Sequence, residues 1–346
     1  RLLNGSGRAA ERGPQGTASM LIVTGGAGFI GSNLVASLVE DGRTDVVVVD
    51  RLGSDGVKWR NLAKHLVDDI LPPEALDNAL GRGGIEAVIH LGAISSTTAT
   101  DADAVVNANF HLSRKLWTWC AHARTPFVYA SSAATYGDGA LGFRDDPDPD
   151  ALARLRPLNL YGWSKHWFDR WVVEQTRRGR PHPPQWAGLK FFNVYGPNEH
   201  HKGDMMSVVA KNYQACAAGE TVSLFRSHHE NFADGEQMRD FVYVLDCVSV
   251  IKWLLSRPDV SGLFNVGSGR ARSFRDLIEA TFRAADRSPS IAYVDMPETL
   301  RAKYQYFTEA DVSRLREAGY DTPFTSLEDG VSDYVRRYLS ADDPHR

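Results

Sequence analysis

From Met20 onward, short unbroken apolar runs alternate with stretches whose apolar positions recur every three or four residues. MLIVTG, DVVVVD, EAVIHLGA and PFVYASS are runs of the first kind, rich in Val and Ile. A strand that is apolar at every position is buried on both faces, as in a parallel sheet covered by helices on either side. Between the runs, helical spacing predicts helices over Phe29–Glu40 and roughly Asp103–His122. A longer helix is predicted from Asn159 to about Arg178, and GLKFFNVYG, residues 188–196, reads as a further strand. This regular alternation predicts an α/β fold with a doubly wound parallel sheet.

Beyond about Val194 the regularity loosens, with helices expected near 206–218, 245–256, 273–285, 309–317 and 326–339 and short strands among them. RDFVYV (239–244) and GLFNVGS (262–268) read as strand segments that return to the main sheet, and ADGEQM (233–238) as a loop. The expected division is a dinucleotide domain of residues 20–193 plus about 239–268, with a smaller interleaved substrate domain of about 194–238 plus 269–340. Residues 1–19 are rich in Gly, Arg and Ser and lack the apolar core of a signal peptide; with Met20 directly before the first strand pattern, they read as a vector-derived leader, with a natural extension as the alternative.

Composition narrows the function. The 346 residues are 43% hydrophobic, enough for one large or two interleaved domains. A net charge of −4 offers no basic field for nucleic acid, and no window approaches the roughly 18 apolar residues of a membrane span, so small-molecule partners are expected. Cys120, Cys216 and Cys247 are scattered and form no C-x-x-C pair, which argues for reduced thiols in a cytoplasmic protein and against a metal site.

Two groups of residues carry chemistry. TGGAGFIGS sets Gly25, Gly28 and Gly31, with Phe29 and Ile30 between them, at a strand-to-helix turn where backbone N–H groups and the helix dipole suit a pyrophosphate. Asp50 closes the second strand where it can hold an adenosine ribose, so the pair predicts a Rossmann dinucleotide site. Arg51, Lys58 and Arg60 add cations that a 2′-phosphate would want, which favours NADP, with NAD as the alternative. Leu91, Gly92, Ala93, Ile94 and Ser95 follow the strand EAVIH, where the backbone is expected to run past the cofactor. The second group is Tyr161 and Lys165, one turn apart on a helix, where a lysine cation is expected to draw the phenol pKa down for use as a general base. Ser131 and Ser132 end an earlier strand, and Ser132 is the choice for polarising a substrate oxygen.

Glycine loop, serine after a later strand and Tyr-x-x-x-Lys together resemble the extended short-chain dehydrogenase/reductase superfamily, which works on nucleotide sugars. Within it, HLGAISSTTATD, YASSAATYG, RPLNLYGWSK, FFNVYGPNEHHKG, RDFVYV and KYQYFTEAD resemble the ADP-glyceromanno-heptose 6-epimerase family, densely from residue 20 to about 335. The resemblance implies that Tyr161 handles the hydroxyl proton, that Lys165 also holds the nicotinamide ribose, and that Ser132 binds the reacting oxygen. It makes Lys202 a second catalytic base that also meets the cofactor, and Asn109 and Val194 cofactor contacts. Asn193, Phe225, Arg226, Ser227, Arg239 and Tyr304 fall at its substrate positions. Asp204 and Lys211 stand on the nucleotide wall where enterobacterial members carry serine and histidine. The implied substrate is an ADP-heptose used for lipopolysaccharide core heptose in Gram-negative bacteria, and the implied assembly is a homo-oligomer, a pentamer.

The need for a second base follows from chemistry. A hydride donor faces one side of a ketone, so inverting an exocyclic carbinol requires rotation of the side arm, which carries the oxygen away from Tyr161 toward another proton-transfer group. Lys202 must then have a depressed pKa, from burial or neighbouring cations. His200 and His201 read as turn or wall residues. A UDP-sugar 4-epimerase turns a whole ring and needs no such lysine. A 4,6-dehydratase wants an Asp-Glu pair where Ala133 and Ala134 stand. A noncatalytic dinucleotide-binding relative is the alternative from another class, and the retained Tyr161 and Lys165 weigh against it.

Overall fold

The computed structural model describes residues 19–301 and 304–346, so the leader reading of 1–18 lies outside the described residues. Its strands, in chain order, are β1 (Met20–Thr24), β2 (Val46–Val49), β3 (Asp69–Leu71), β4 (Ile85–His90), β5 (Phe127–Ser132), β6 (Trp186–Phe191), β7 (Asn193–Tyr195), β8 (Val222–Phe225), β9 (Met238–Tyr243), β10 (Gly262–Val266), β11 (Ala271–Ser273) and β12 (Ile291–Val294). Seven of them form a parallel sheet in the order β10-β6-β5-β4-β1-β2-β3.

The apolar runs divide between the two faces by simple alternation. Leu21, Val23, Val46, Val48, Ala87 and Ile89 face the helices Phe29–Glu40 and Val244–Leu255 through Leu34, Val35, Leu38, Val250 and Ile251. Ile22, Val47, Val49, Val88, Phe127 and Tyr129 face Leu116, Trp117 and Cys120 of the helix Leu112–Ala123 and Phe168 and Val172 of Leu160–Arg177. The strand order reverses between β1 and β4, opening a crevice beyond their C-terminal ends. All three cysteines are buried free thiols.

The predicted helices Phe29–Glu40 and Asn159–Arg178 appear as Phe29–Glu40 and Leu160–Arg177. The 103–122 helix is present but contains one wide turn, Asn107–His111, where the Asn109 side chain leaves the helix surface to bond Ile94. GLKFFNVYG splits at Phe192, whose N–H bonds Val266 O at 3.0 Å, so its two halves enter different sheets.

RDFVYV does not return to the main sheet. As β9 it lies between β7 and β11 in a three-stranded sheet, because the edge beside β6 is taken by β10, whose GLFNVGS segment does join as expected. The helix expected over 309–317 shortens to Ser313–Glu317. Thr308, just before that stretch, and Ala310 instead tie the chain to β9, with Thr308 Oγ1 accepting from Asp240 N at 3.1 Å and Ala310 N donating to Asp240 Oδ2 at 2.9 Å. A parallel pair, β8 and β12, completes the smaller lobe, whose core includes Tyr195, Val209, Phe241, Tyr243, Leu277, Val331 and Tyr334.

One ion pair lies wholly inside. Lys190 Nζ is 2.7 Å from Asp169 Oδ2, both side chains at 0% exposure, and Tyr129, Ser131 and Thr135 complete its hydrogen bonds. Removing one partner strands a charge, so Lys190→Met lowers the free energy of unfolding by about 3–5 kcal/mol in urea titrations.

Candidate active site

The glycine loop follows β1 as the spacing requires. Gly25 adopts φ 69°, and a Cβ there would lie 2.5 Å from Gly92 N; at Gly31 it would lie 2.1 Å from Gly25 O. Both positions therefore let backbone meet backbone, joining the turn to the Leu91–Gly92 segment after β4. Gly28 is the N-cap of Phe29–Glu40, and no side chain caps that helix, so the dipole's positive end stays available to an anion.

Asp50 ends beside the loop and accepts from Ala27 N at 2.9 Å. Lys58 Nζ bonds Asp50 Oδ1 at 2.6 Å and Arg51 O at 3.0 Å. The Arg51 side chain is mostly exposed and pairs with Glu74. These residues set a carboxylate flanked by cations beside the glycine loop, an arrangement that would fit the adenosine end of a dinucleotide.

Across the crevice, Leu91, Gly92, Ala93 and Ile94 are half-buried and Ser95 is exposed. Asn109 fixes this segment from below: its Oδ1 accepts from Ile94 N at 2.8 Å, and its Nδ2 donates to Ile94 O and to Ser164 Oγ, each at 2.9 Å. Its side chain is fully buried and spent on these bonds, so any contact of this region with a dinucleotide would come from the backbone it holds.

The helix Leu160–Arg177, which carries Tyr161 and Lys165, is placed by its N-cap, Asn159, whose side chain accepts from Gly162 N at 2.8 Å. Gly162 sits so close to Ala134 O, at 2.7 Å from its Cβ position, that the helix start abuts the turn after β5. Ser131 and Ser132 then take opposite sides. Ser131 Oγ donates to buried Asp169 at 2.6 Å, whereas Ser132 is half-buried beside Tyr161. Lys165 Nζ donates to Ala130 O at 2.8 Å, and burial pushes its pKa down to about 8, with Asp169 opposing.

Tyr161 departs from expectation: burial pushes its phenol up, and the Ser132 hydroxyl pulls only partly the other way. Lys165 is turned to the Ala130 carbonyl, so it does not offset the burial.

Lys202 lies on the irregular turn His200–Met205, bent at Gly203 with φ 53°. Its ammonium turns inward, 4.6 Å from the Phe29 ring centroid and 3.8 Å from the Glu199 carboxylate. Burial lowers its pKa as the chemistry demands; Glu199 opposes, and Lys211 adds a small push downward. Glu199 is itself fully buried and accepts from Ser207 N at 2.5 Å and Ser207 Oγ at 2.6 Å.

Sequence reasoning missed Glu199, though its i, i+3 spacing to Lys202 was a readable signal. It also missed Asn61, which joins Ala27 O at 3.0 Å to His201 Nδ1 at 3.1 Å and so ties the glycine loop to the lysine turn. Nothing in the local pattern marks Asn61. His90 was missed as well; Thr24 Oγ1 and Ser113 Oγ bond its two nitrogens at 2.6 and 2.9 Å, and burial holds its pKa near 3.

On the other wall, Arg239 is buried with its guanidinium 5.2 Å from the Tyr304 ring centroid and 5.5 Å from that of Phe274. Among the described residues no carboxylate pairs with it, and burial lowers its pKa. A buried cation without a counter-ion is arranged for an anionic ligand. Asn193 is exposed and Val194 half-buried on β7; Phe225 ends β8. Arg226 faces Asp234 and Asp295 at 3.6 and 3.8 Å, Ser227 N bonds Asp234, and Asp204 and Lys211 are exposed.

Residues 21–267 match the NAD dependent epimerase/dehydratase family. The chain belongs to that family. Within it, the ADP-L-glycero-D-manno-heptose-6-epimerase of Nitratidesulfovibrio vulgaris (strain Hildenborough) is 52% identical over 330 residues, spanning 94% of this chain and 100% of the relative. Among solved structures, the Helicobacter pylori ADP-L-glycero-D-manno-heptose-6-epimerase superposes with a TM-score of 0.75 at 27% identity, covering 93% of this chain and 97% of that one. Thermus thermophilus UDP-glucose 4-epimerase, in complex with NAD, gives 0.70 at 25% identity over 90% of this chain and 96% of its own. Like these epimerase/dehydratase relatives, the chain has a central parallel sheet with helices on both faces. Among the described residues no helix is long and apolar enough to cross a membrane, and no group of three or more His, Cys, Asp or Glu could hold a metal.

Proposed function

We propose that the chain is an NADP-dependent ADP-glyceromanno-heptose 6-epimerase, interconverting the D-glycero and L-glycero forms through a 6-keto sugar nucleotide. The observation that carries this reading is the inward ammonium of Lys202, set on the first residue of the cofactor helix and depressed in pKa by burial. When bound, the nicotinamide supplies the hydride acceptor and donor, and a positive charge that favours a nearby phenolate.

The chain's residues do the rest. Gly25, Gly28 and Gly31 admit the pyrophosphate to the open end of Phe29–Glu40, Asp50 meets the adenosine ribose, and Lys165 the nicotinamide ribose. Ser132 holds the reacting oxygen, and Tyr161 moves its proton on one face of the carbonyl. Lys202 meets the oxygen after the side arm rotates. Arg239, with Tyr304, takes the substrate diphosphate. On this reading the enzyme works in the cytoplasm as a homo-oligomer.

Incubation with ADP-D-glycero-D-manno-heptose, UDP-galactose and GDP-mannose, with epimer ratios read by NMR, tests it: inversion at C6 of the ADP-heptose alone is expected. Inversion at C4 of UDP-galactose instead would replace the reading with a ring 4-epimerase.

Arg51 and Lys58 are the cations that favour NADP, since Lys58 already neutralises Asp50 and Arg51 is held only by an exposed acid. The double variant Arg51→Ala/Lys58→Ala therefore loses NADP affinity by about tenfold or more, equivalent to about 1.4 kcal/mol, while NAD binding changes little. Calorimetric titration with each dinucleotide measures both.

A further inference from the structure

We propose that residues 342–346 form a strap that positions the Lys202 turn against the cofactor helix, a role resting on the reading of Lys202 as the second proton-transfer group. The segment closes on itself, with Asp343 Oδ1 accepting from His345 N and meeting His345 Nδ1, both at 3.1 Å. It is then fastened at three places. Lys64 Nζ lies 3.0 Å from Asp343 Oδ2 and donates to His345 O at 2.5 Å. The Arg346 guanidinium donates to Asn33 O at 3.0 Å and Glu40 Oε2 at 2.6 Å, gripping the helix Phe29–Glu40. Arg346 N donates to Asn198 Oδ1 at 2.8 Å, and the His345 ring lies edge-on to His200, centroids 5.4 Å apart. His345 is only 6% exposed.

The third fastening matters most. Asn198 is buried at φ 69°, a conformation that an Asn tolerates better than most side chains but still at a cost, and the neighbouring turn bends again at Gly203. The turn's own backbone bonds, Lys202 N to Glu199 O at 3.0 Å and Met206 N to Gly203 O at 3.1 Å, hold its shape and leave its seating on the helix to other contacts. Asn198 is instead held from both sides, by Arg346 N on its oxygen and by donation from Nδ2 to Ser32 Oγ at 3.0 Å. The strap thus locks together the helix that opens at Phe29 and the turn whose lysine rests on the Phe29 ring.

The test uses the full protein with NADP bound, the same chain with residues 342–346 deleted, and Arg346→Ala, which keeps the backbone. Trace labelling with an amine-reactive ester, read by peptide mass, compares Lys202 with Lys165. Lys202 is expected to label several-fold faster after the deletion, and less so in Arg346→Ala, which keeps Arg346 N on Asn198 and loses only the grip on the helix, while Lys165 does not change; kcat for epimerisation falls by about 10-fold to 10²-fold in the deletion with KM steady. Labelling and kcat equal to those of the parent would overturn the strap. So would parallel changes at Lys165 and in melting temperature, which mark general loosening. If the parent itself does not epimerise the ADP-heptose, the functional reading fails, and the labelling ratio still decides the strap.

Discussion

Replacing Tyr161 by Phe lowers the epimerisation rate by about 10²–10⁴ in both directions while the protein still binds its nicotinamide dinucleotide. The ring remains, so the start of the helix Leu160–Arg177 and its contact with Ala134 are preserved, and only the hydroxyl beside Ser132 is lost. Oxidation of one epimer needs the Tyr161 phenolate to take the proton, and formation of that epimer in the reverse direction needs the phenol to return one. The pH profile carries a second signature. Lys165 is charged below its pKa of about 8 and neutral above it, so a lysine that turns from the Ala130 carbonyl to support the phenolate during the reaction loses its charge as pH rises. The parent rate therefore falls on the alkaline side of about 8, and the residual rate of the Phe variant does not follow that limb. Steady-state rates across pH, with bound cofactor counted after denaturation, measure both. A Phe variant within a few-fold of the parent ends the assignment.

The parts of this site that were legible in the sequence share one property: a local pattern is sufficient for them. Gly25, Gly28 and Gly31 are required by a turn only a few residues long, Asp50 by the end of the next strand, and Tyr161 with Lys165 by one turn of helix. Ser132 could be preferred to Ser131 as a polarising group, but the reason for the difference is tertiary: Asp169, from another element, claims Ser131. Arrangements made by long-range pairing were not legible. RDFVYV carries a good strand pattern, yet nothing local says that β10 has already closed the main sheet's edge. The raised Tyr161 phenol is likewise a matter of burial from several elements at once. Asn61, from a turn after β2, bonds both the glycine loop and His201, a contact over 140 residues of sequence that no spacing rule reaches.

Lys202→Met is expected to suppress epimerisation by about 10²–10⁴ while leaving Tyr161's own proton transfer in place. In the variant, a rapid change in nicotinamide absorbance still follows mixing with the epimer that Tyr161 deprotonates, and the ketone formed returns to that same epimer. The other epimer gives no such signal. Glu199 supplies the control that separates charge from mere occupancy of space. Lys202 is a base only when neutral, so its contribution rises as pH climbs through its depressed pKa; burial sets that depression and the buried carboxylate 3.8 Å away opposes it. Glu199→Gln keeps the hydrogen-bonding shape toward Ser207 and removes the charge, so the pKa falls further and the same rise in kcat appears at lower pH. Lys211 also acts to lower this pKa, while burial, with Lys58 and Lys202 nearby, holds His201 down at about 4, so the imidazole stays neutral across the profile. A Gln variant whose profile moves to higher pH would mean that the lysine is not the group being titrated. Undiminished epimerisation by Lys202→Met would mean that one phenol serves both faces, which a single fixed hydroxyl cannot do when the oxygen changes sides.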